Sequence, residues 1–180
     1  NRIAMEKELR FYGSTSRDFA LVKTGASNMM MKWKRGNSES YVNLFSFDNA
    51  GTFTSTKSQR VTVSSYGYTD LIKGPGNLYI SAEQGYKRRD NVNKWGLLVS
   101  TLSTDGKDDV HVVDTERMTQ NVTDNTTSYY RSPSITALND SIYAIGYRGY
   151  SYDGFIETFK VETSGKITRL KSYEYDVNES

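Results

Sequence analysis

Three consecutive stretches of this chain follow one order of short apolar segments and turns, and that repetition limits the fold more than any other feature. The third stretch shows the order most clearly. Its predicted strands cover residues 133–138, 141–149, 155–163 and 167–175. The turns between them fall at Asn139-Asp140, Asp153-Gly154 and Ser164-Gly165. Asn, Asp and Gly suit such turns, because they accept the backbone angles that a tight reversal needs.

The two earlier stretches repeat this order with decreasing clarity. In the second stretch, strands are predicted over residues 69–73, 78–82, 96–102 and 110–118. In the first, they are predicted over residues 19–22, 29–36, 41–47 and 52–63. The chain is therefore divided into an N-terminal strand or arm and three units, which cover residues 1–17, 18–66, 67–120 and 121–180. Residues 4–9 of the arm also allow a short helix.

This repetition predicts an all-β fold of blade-like sheets, each with four antiparallel strands joined by hairpins. One such sheet cannot cover both of its own faces, whereas sheets stacked radially bury them against one another. Three blades and an N-terminal strand are interpreted as a β-propeller. A β-sandwich is the alternative, because strand spacing alone does not separate the two folds. Propellers have four or more blades, so we expect another blade, a partner chain or a missing remainder to complete the ring.

Three runs in the third unit carry a family resemblance: residues 142–149, Asp153-Gly154-Phe155 and Gly165-Lys166-Ile167. In this order they resemble the blade repeat of secreted and cell-surface β-propeller proteins of the archaeal type. The second unit shares the pattern in part and the first only weakly. Members of that family are often anchored through a pilin-like leader, so the resemblance implies a surface location. It implies a fold rather than an activity, because such repeats are structural.

Composition excludes several kinds of site and partner. The chain has no Cys, so it has neither a thiolate metal site nor a disulfide. Its 23 basic and 21 acidic residues leave a net charge of +2, which predicts no general affinity for nucleic acid. No apolar run has the ~18–20 residues that span a bilayer. The chain opens at Asn1 rather than Met, and we expect a processed product or a fragment of a longer chain.

Residue patterns that would support catalysis are lacking. His111 is the only histidine and stands in a predicted outer strand, where a surface role is expected. The turn Gly74-Pro75-Gly76 lacks one amide that a phosphate loop needs, because proline has no N–H. Asp105, Asp108 and Asp109 cluster without the closing Glu of a Ca²⁺ loop and are interpreted as a solvated turn. We therefore expect no enzyme, no cofactor and no metal.

Tyrosines gather at the ends of the predicted hairpins, and they are the candidates for ligand or partner contact. They are Tyr86 in the second unit and Tyr147, Tyr150 and Tyr152 in the third. Aromatic rings at a loop tip give contact area at low entropic cost, which suits sugars and proteins. Packing between blades is the alternative for them. The basic triplet Lys87-Arg88-Arg89 is interpreted as a solvated loop tip.

Four Asn-x-Ser/Thr sequons lie in predicted loops or turns, or near the end of the sequence, and are candidate N-glycosylation sites. They are Asn121, Asn125, Asn139 and Asn178. A bulky glycan fits such positions, and their placement indicates a location outside the cell.

The repeat, the sequons and the lack of catalytic patterns predict a non-enzymatic extracellular or cell-surface module, such as a filament subunit or an adhesion domain. A carbohydrate-binding propeller is the alternative, because tyrosine-rich loops are expected once per blade. A glycosidase or lyase ranks last, because no pair of facing carboxylates is recognisable. A protein partner or self-assembly is expected to complete the sheet or ring, because strand edges without a neighbour pair with other strands.

Overall fold

The computed structural model describes residues 16–35, 39–55, 58–63, 65–89, 92–104, 109–118, 131–148 and 154–174. These residues form thirteen strands in three antiparallel sheets, and no helix occurs among them. The all-β prediction is confirmed. Most of the predicted N-terminal arm, residues 1–15, lies outside the described residues. Within the part of the chain that the structure describes, no helix is long and apolar enough to cross a bilayer.

Each sheet is completed along the chain before the next begins. Sheet A contains β1 (Ser16–Lys23), β2 (Asn28–Arg35), β3 (Glu39–Phe47), β4 (Phe53–Ser55) and β5 (Gln59–Val63). Sheet B contains β6 (Ser65–Lys73), β7 (Leu78–Arg89), β8 (Val92–Thr104) and β9 (Val110–Arg117). Sheet C contains β10 (Arg131–Ala137), β11 (Ile142–Arg148), β12 (Gly154–Val161) and β13 (Ile167–Glu174). In sheets B and C, the strands lie side by side in sequence order.

Sheet A departs from the predicted four-strand pattern at its outer position. The single strand predicted over residues 52–63 is divided into β4 and β5, and both pair with β3. Ser55 lies opposite Phe45, whereas Gln59 lies opposite Val42. The two short strands therefore share the position that one outer strand occupies in sheets B and C.

All three sheets have an irregularity in the same place between their first and second strands. The register shifts between Arg17 and Ala20 in sheet A, Tyr66 and Thr69 in sheet B, and Arg131 and Ser134 in sheet C. A second shift lies between Thr101 and Leu102 in sheet B and between Thr158 and Phe159 in sheet C. Such bulges bend a strand and increase its local twist.

Sheet B lies between sheets A and C, and both of its faces are buried. Towards sheet A it contributes Leu71, Tyr79, Leu102 and Val110, which pack on Ala20, Met30, Val42 and Leu44. Towards sheet C it contributes Leu78, Ile80, Ala82, Leu97 and Val99, which pack on Ile135, Tyr143, Ile145, Tyr147 and Phe159. The first strands of the sheets meet one another, because β1 contacts β6 and β6 contacts β10. Burial of these side chains is the main stabilising contribution, at about 1.5–3 kcal/mol for each large one.

Polar side chains also join sheet B to sheet C. Asp70 Oδ2 accepts the backbone N–H of Ile135 at 2.7 Å. Asp114 Oδ2 accepts the backbone N–H of Ile167 at 2.8 Å. Because both carboxylates satisfy backbone donors of the neighbouring sheet, they fix the position of one sheet against the other.

Candidate functional site

An open groove of about 850 Å³ lies between sheets B and C. Three turns border it: Gly74-Pro75-Gly76 after β6, residues 139–141 after β10, and residues 162–163 after β12. The charged and aromatic residues that line it are Lys73, Asp140, Tyr143, Lys160 and Glu162. Its volume falls in the range of roughly 300–1,000 Å³ that small-molecule sites occupy. The groove is therefore large enough to hold a ligand.

The turns that border the groove are closed by hydrogen bonds. Asn139 Oδ1 accepts the backbone N–H groups of Ser141 at 3.0 Å and Ile142 at 2.9 Å. In the turn after β6, the N–H of Leu78 donates to the carbonyl of Pro75 at 3.0 Å, and Gly76 has a φ of 58°. The prediction of turns at both places is confirmed. Closed turns hold the groove residues in fixed positions, which favours recognition at low entropic cost.

Charges of both signs line the groove. Lys73 Nζ lies 4.3 Å from the centre of the Tyr79 ring and donates to the Tyr79 hydroxyl at 3.4 Å. Tyr143 lies at the buried side, and burial, together with the negative charge of Asp140, raises the pKa of its phenol. The phenol therefore stays neutral near neutral pH. This set of groups can form hydrogen bonds and ion pairs with a polar ligand.

A second group of charged residues is buried between sheets A and B. Lys32 Nζ lies 2.9 Å from Glu83 Oε1, and each side chain is 1% exposed. Lys32 also donates to Ser81 Oγ at 3.1 Å, and Ser40 donates its hydroxyl proton to Glu83 Oε2. The carboxylate thus has a partner on each oxygen. Such satisfaction is what a buried ion pair requires to be tolerated.

Lys34 lies in the same interface and is also buried. Burial lowers the pKa of its ammonium to about 8, although the negative charges of Glu83 and Asp18 oppose the change. Asp18 stands at the register shift of β1 and has a φ of 51°, a left-handed conformation that Asp accepts more readily than most residues. The interface therefore holds two lysines close to the bend in β1.

A third group of polar residues lies within sheet C. Tyr147 donates its hydroxyl proton to Glu157 Oε1, and Arg169 Nη2 donates to Glu157 Oε2 at 3.0 Å. Burial raises the pKa of the Glu157 carboxyl, while the hydrogen bond from Tyr147 and the charge of Arg169 oppose that rise. Both oxygens of this buried carboxylate are thus used within the sheet.

The candidate contact tyrosines do not form one surface in the described residues. Tyr147 is buried in the core shared by sheets B and C, where its ring stacks on Phe155. Its ring therefore offers no exposed area to a ligand. Tyr86 lies in β7, paired with Trp95. Tyr150 and Tyr152 lie outside the described residues.

Among the sequons, Asn139 is the one within the described residues. It is exposed and stands in the turn that borders the groove between sheets B and C. Asn121, Asn125 and Asn178 lie outside the described residues.

The remaining motifs have different outcomes. Lys87 to Arg89 continue the ladder between β7 and β8, which ends with Arg89 opposite Val92. The prediction of a loop tip for this triplet is therefore wrong, because strand pairing continues past the Gly85–Gly96 pair. His111 is exposed on β9, the outer strand of sheet B, as predicted. Asp105 and Asp108 lie outside the described residues, and Asp109 is exposed.

Sequence reasoning missed the buried charges of Lys32, Lys34 and Glu83. Charged residues at alternate positions of a strand usually indicate a solvent-facing side, and β2 carries its lysines in that pattern. Only the stacking of sheet B on sheet A reveals that this face is buried. Among the described residues, no group of three or more His, Asp or Glu side chains is arranged to hold a metal ion.

Comparison with known proteins gives no match: no family model, no curated protein and no solved structure is similar to this chain.

Proposed function

We propose that this chain is a non-enzymatic recognition module of an extracellular or cell-surface protein, such as an adhesion or filament module. We further propose that its three sheets are consecutive blades of a β-propeller. The module recognises its ligand or partner through the turns that border the groove between sheets B and C.

The blade interpretation is supported by the pairing of the first two strands. Met29, Tyr79 and Tyr143 are equivalent, because they lie opposite the last residues of β1, β6 and β10. In all three sheets, the register shift then follows three to five residues further along the second strand. Equivalent bulges are expected in units of common design, because bulges are fixed features of a fold. A two-sheet sandwich accounts less well for a sheet whose two faces are both covered.

Equivalent side chains also make equivalent contacts in sheets A and C. Trp33 and Tyr147 occupy the same position in their second strands. Trp33 stacks on Tyr41 with ring centres 5.1 Å apart, and Tyr147 stacks on Phe155 at 5.6 Å. Each also donates to a buried residue of the third strand, because Trp33 Nε1 donates to Asn43 Oδ1 at 2.7 Å and Tyr147 donates to Glu157. This correspondence supports a repeated unit.

One observation carries the proposal of recognition rather than chemistry. Among the described residues, the buried carboxylates are Glu83 and Glu157, and both oxygens of each are engaged by neighbouring side chains of the sheets. The charged residues that line the groove, by contrast, have exposed or half-buried side chains and stand on or beside its turns: Lys73, Asp140, Lys160 and Glu162. Loops held on a rigid scaffold are where binding residues concentrate.

A carbohydrate ligand is the second candidate. The groove is lined by two lysines, two acids and Tyr143, which suits a ligand rich in hydroxyl groups. The burial of Tyr147 removes one of the tyrosines that motivated this candidate. The groove is therefore where we expect a sugar to bind.

Binding of the purified chain to an array of glycans and extracellular matrix proteins tests the proposal. We expect at least one ligand whose affinity falls about tenfold in Lys73→Glu and Lys160→Glu. Lys171→Glu, on the exposed outer strand β13, is the matched control and should bind as the native chain does. Release of a cleaved or altered product from a bound glycan would contradict the non-enzymatic role. Binding that is insensitive to both groove variants would show that the groove is not the site.

The extracellular location is tested by the intact mass of native material. Glycosylation at Asn139 predicts a mass above the 20.4 kDa of the chain, and Asn139→Gln should remove that increment. Native material without any glycan would remove this support for the location.

A further inference from the structure

The two ends of the sheet stack expose residues whose equivalents are buried inside it. Leu21 of β1 is equivalent to Leu71 and Ile135, because each lies two positions before the end of its first strand. Leu71 and Ile135 are 3% and 6% exposed, whereas Leu21 is 56% exposed. The difference has a simple cause. Leu71 and Ile135 each face a preceding sheet, and no preceding sheet lies against sheet A among the described residues.

The opposite end shows the complementary difference. Ile156 of β12 is equivalent to Val42 and Val99, which lie on the faces that sheets A and B turn towards the next sheet. Val42 and Val99 are fully buried, whereas Ile156 is 43% exposed. Tyr173 lies opposite Ile156 on β13 and is also exposed. Sheet C thus leaves open the face that its two predecessors use for stacking.

Near the turns, a recess at the sheet A end of the stack and an exposed leucine at the sheet C end also match each other in position. A recess of about 360 Å³ beside β1 is lined by Leu21, Met29 and Phe47 and their neighbours. Its position in sheet A matches that of the residues which sheet C contributes to the groove between sheets B and C, because Met29 is equivalent to Tyr143. Leu138 lies at the other end of the stack and is equivalent to Gly74. Gly74 is one of the residues that sheet B contributes to the groove between sheets B and C. Leu138 is exposed.

We propose that a second copy of this chain packs the face of its sheet C, with Ile156 and Leu138, against β1 and the recess of sheet A. The contact continues the interface that already joins sheet A to B and sheet B to C. It places β10 of one copy against β1 of the other, and Leu138 over the recess beside Leu21. This inference rests on the blade interpretation given above.

The arithmetic of a ring favours two copies. Propellers close with four to eight blades, so the three sheets of the described residues are too few to close a ring by themselves, whereas two copies supply six. A head-to-tail contact closes into a ring when its rotation divides a full turn. Three blades of a six-bladed ring cover half a turn, so the second copy meets both ends of the first. Both exposed ends are then buried by one kind of contact made twice.

Native molecular mass across a dilution series tests the inference, using light scattering or sedimentation. The native chain is expected at twice the 20.4 kDa chain mass. Leu21→Glu and Ile156→Glu, which place a charge at either end of the stack, should each give monomers. Leu170→Glu changes a leucine of similar exposure on the outer strand β13, and should remain dimeric. Far-ultraviolet circular dichroism and unfolding midpoints confirm that each variant is folded.

Mixing the variants gives a second readout that does not depend on either one alone. Leu21→Glu retains an intact sheet C face, and Ile156→Glu retains an intact sheet A end. An equimolar mixture should therefore form open dimers through one intact contact, although neither variant dimerises alone. A native chain that stays monomeric at all concentrations would overturn the inference, as would dimers that persist in both variants or a mixture that stays monomeric. The distances between sheets within one chain are measured by a separate experiment, so a monomeric chain would not contradict the blade interpretation.

Discussion

Lys32 of sheet A and Glu83 of sheet B form an ion pair of 2.9 Å between Nζ and Oε1, with both side chains buried. The pair crosses the interface between two sheets: Lys32 also bonds Ser81, 49 residues away in sequence, and Glu83 bonds Ser40, 43 residues away. Removing the two charges from water costs free energy, and the attraction between them offsets that cost only while both are present.

Glu83→Gln is therefore expected to lower the free energy of unfolding by about 3–5 kcal/mol, because it leaves the Lys32 ammonium buried without its counter-charge. Urea denaturation at pH 7 measures the change. Arg60→Gln is the matched control, because Arg60 pairs with Glu39 at 3.1 Å on the surface and such pairs contribute less than about 1 kcal/mol. Equal losses in the two variants would contradict burial of the Lys32–Glu83 pair.

Because Lys34 is buried, the stability of the folded chain is expected to vary with pH in the alkaline range. Its pKa is lowered from 10.5 to about 8 in the folded chain, so between these values the unfolded chain binds more protons. The free energy of unfolding contributed by Lys34 therefore rises with pH in that window, by up to about 1.4 kcal/mol per pH unit. The Lys34→Met variant lacks this contribution. Urea denaturation at pH 7, 8, 9 and 10 should show the native chain gaining stability relative to Lys34→Met above about pH 8. Parallel profiles of the two proteins would refute the prediction.

Tyr147→Phe removes the hydroxyl that donates to Glu157 Oε1. The loss at pH 8 is expected to be about 1–3 kcal/mol, because a buried acceptor is left unsatisfied. Since this hydrogen bond lowers the pKa of Glu157, its removal raises that pKa further. The folded chain then keeps its proton to higher pH, so the variant loses less stability at pH 5 than at pH 8. Tyr143→Phe is the control, because among the described residues the Tyr143 hydroxyl makes a long contact of 3.5 Å, to the Asp140 carbonyl. A larger loss for Tyr143→Phe would count against this assignment.

Gly165 and Gly76 separate a backbone effect from a packing effect. Both have positive φ, 91° and 58°. A Cβ at Gly165 would lie 2.5 Å from Val113 Cγ1, whereas a Cβ at Gly76 meets nothing within 4 Å. Gly76→Ala should cost about 1 kcal/mol from the backbone alone. Gly165→Ala should cost at least about 1 kcal/mol more, because overpacking is added.

Thermal and urea unfolding measure both glycine variants, and the double variant Gly165→Ala/Val113→Ala tests the cause. It should recover part of the extra loss, because the clashing methyl group is absent. Similar losses for Gly76→Ala and Gly165→Ala would argue against the contact between the β12–β13 turn and β9.

Where turn residues and alternating apolar positions agree, the sequence predicts most of the strands of each sheet. In sheet C, Asn139-Asp140 and Ser164-Gly165 mark two of the reversals, and all four strands lie within one or two residues of the predicted bounds. In sheet A, residues 52–63 lack an internal turn signal, so the division into β4 and β5 was not predicted. The bulges were not predicted either, because a register shift depends on both paired strands.

The candidate site was less accessible to sequence reasoning. The groove is formed by turns that are distant in sequence, Gly74-Pro75-Gly76 and Asn139-Asp140, and only the packing of β6 on β10 brings them together. Tyr147 carries no sequence signal that separates a buried ring from an exposed one. The pairing of Lys32 with Glu83 depends on how sheet A is positioned against sheet B, and no local sequence pattern encodes that position.

Distances between spin labels at the ends of the three first strands test most directly that the sheets are stacked blades in the order A, B, C. Cysteines introduced in pairs at Lys23, Lys73 and Ala137 label uniquely, because the chain has none of its own. Labelled protein is diluted into an excess of unlabelled protein, so that only distances within one chain are measured. Stacked blades predict similar distances for 23–73 and 73–137, and a 23–137 distance roughly 1.4 to 1.9 times longer, as rings of four to eight blades require. A 23–137 distance equal to or shorter than the other two would contradict that arrangement.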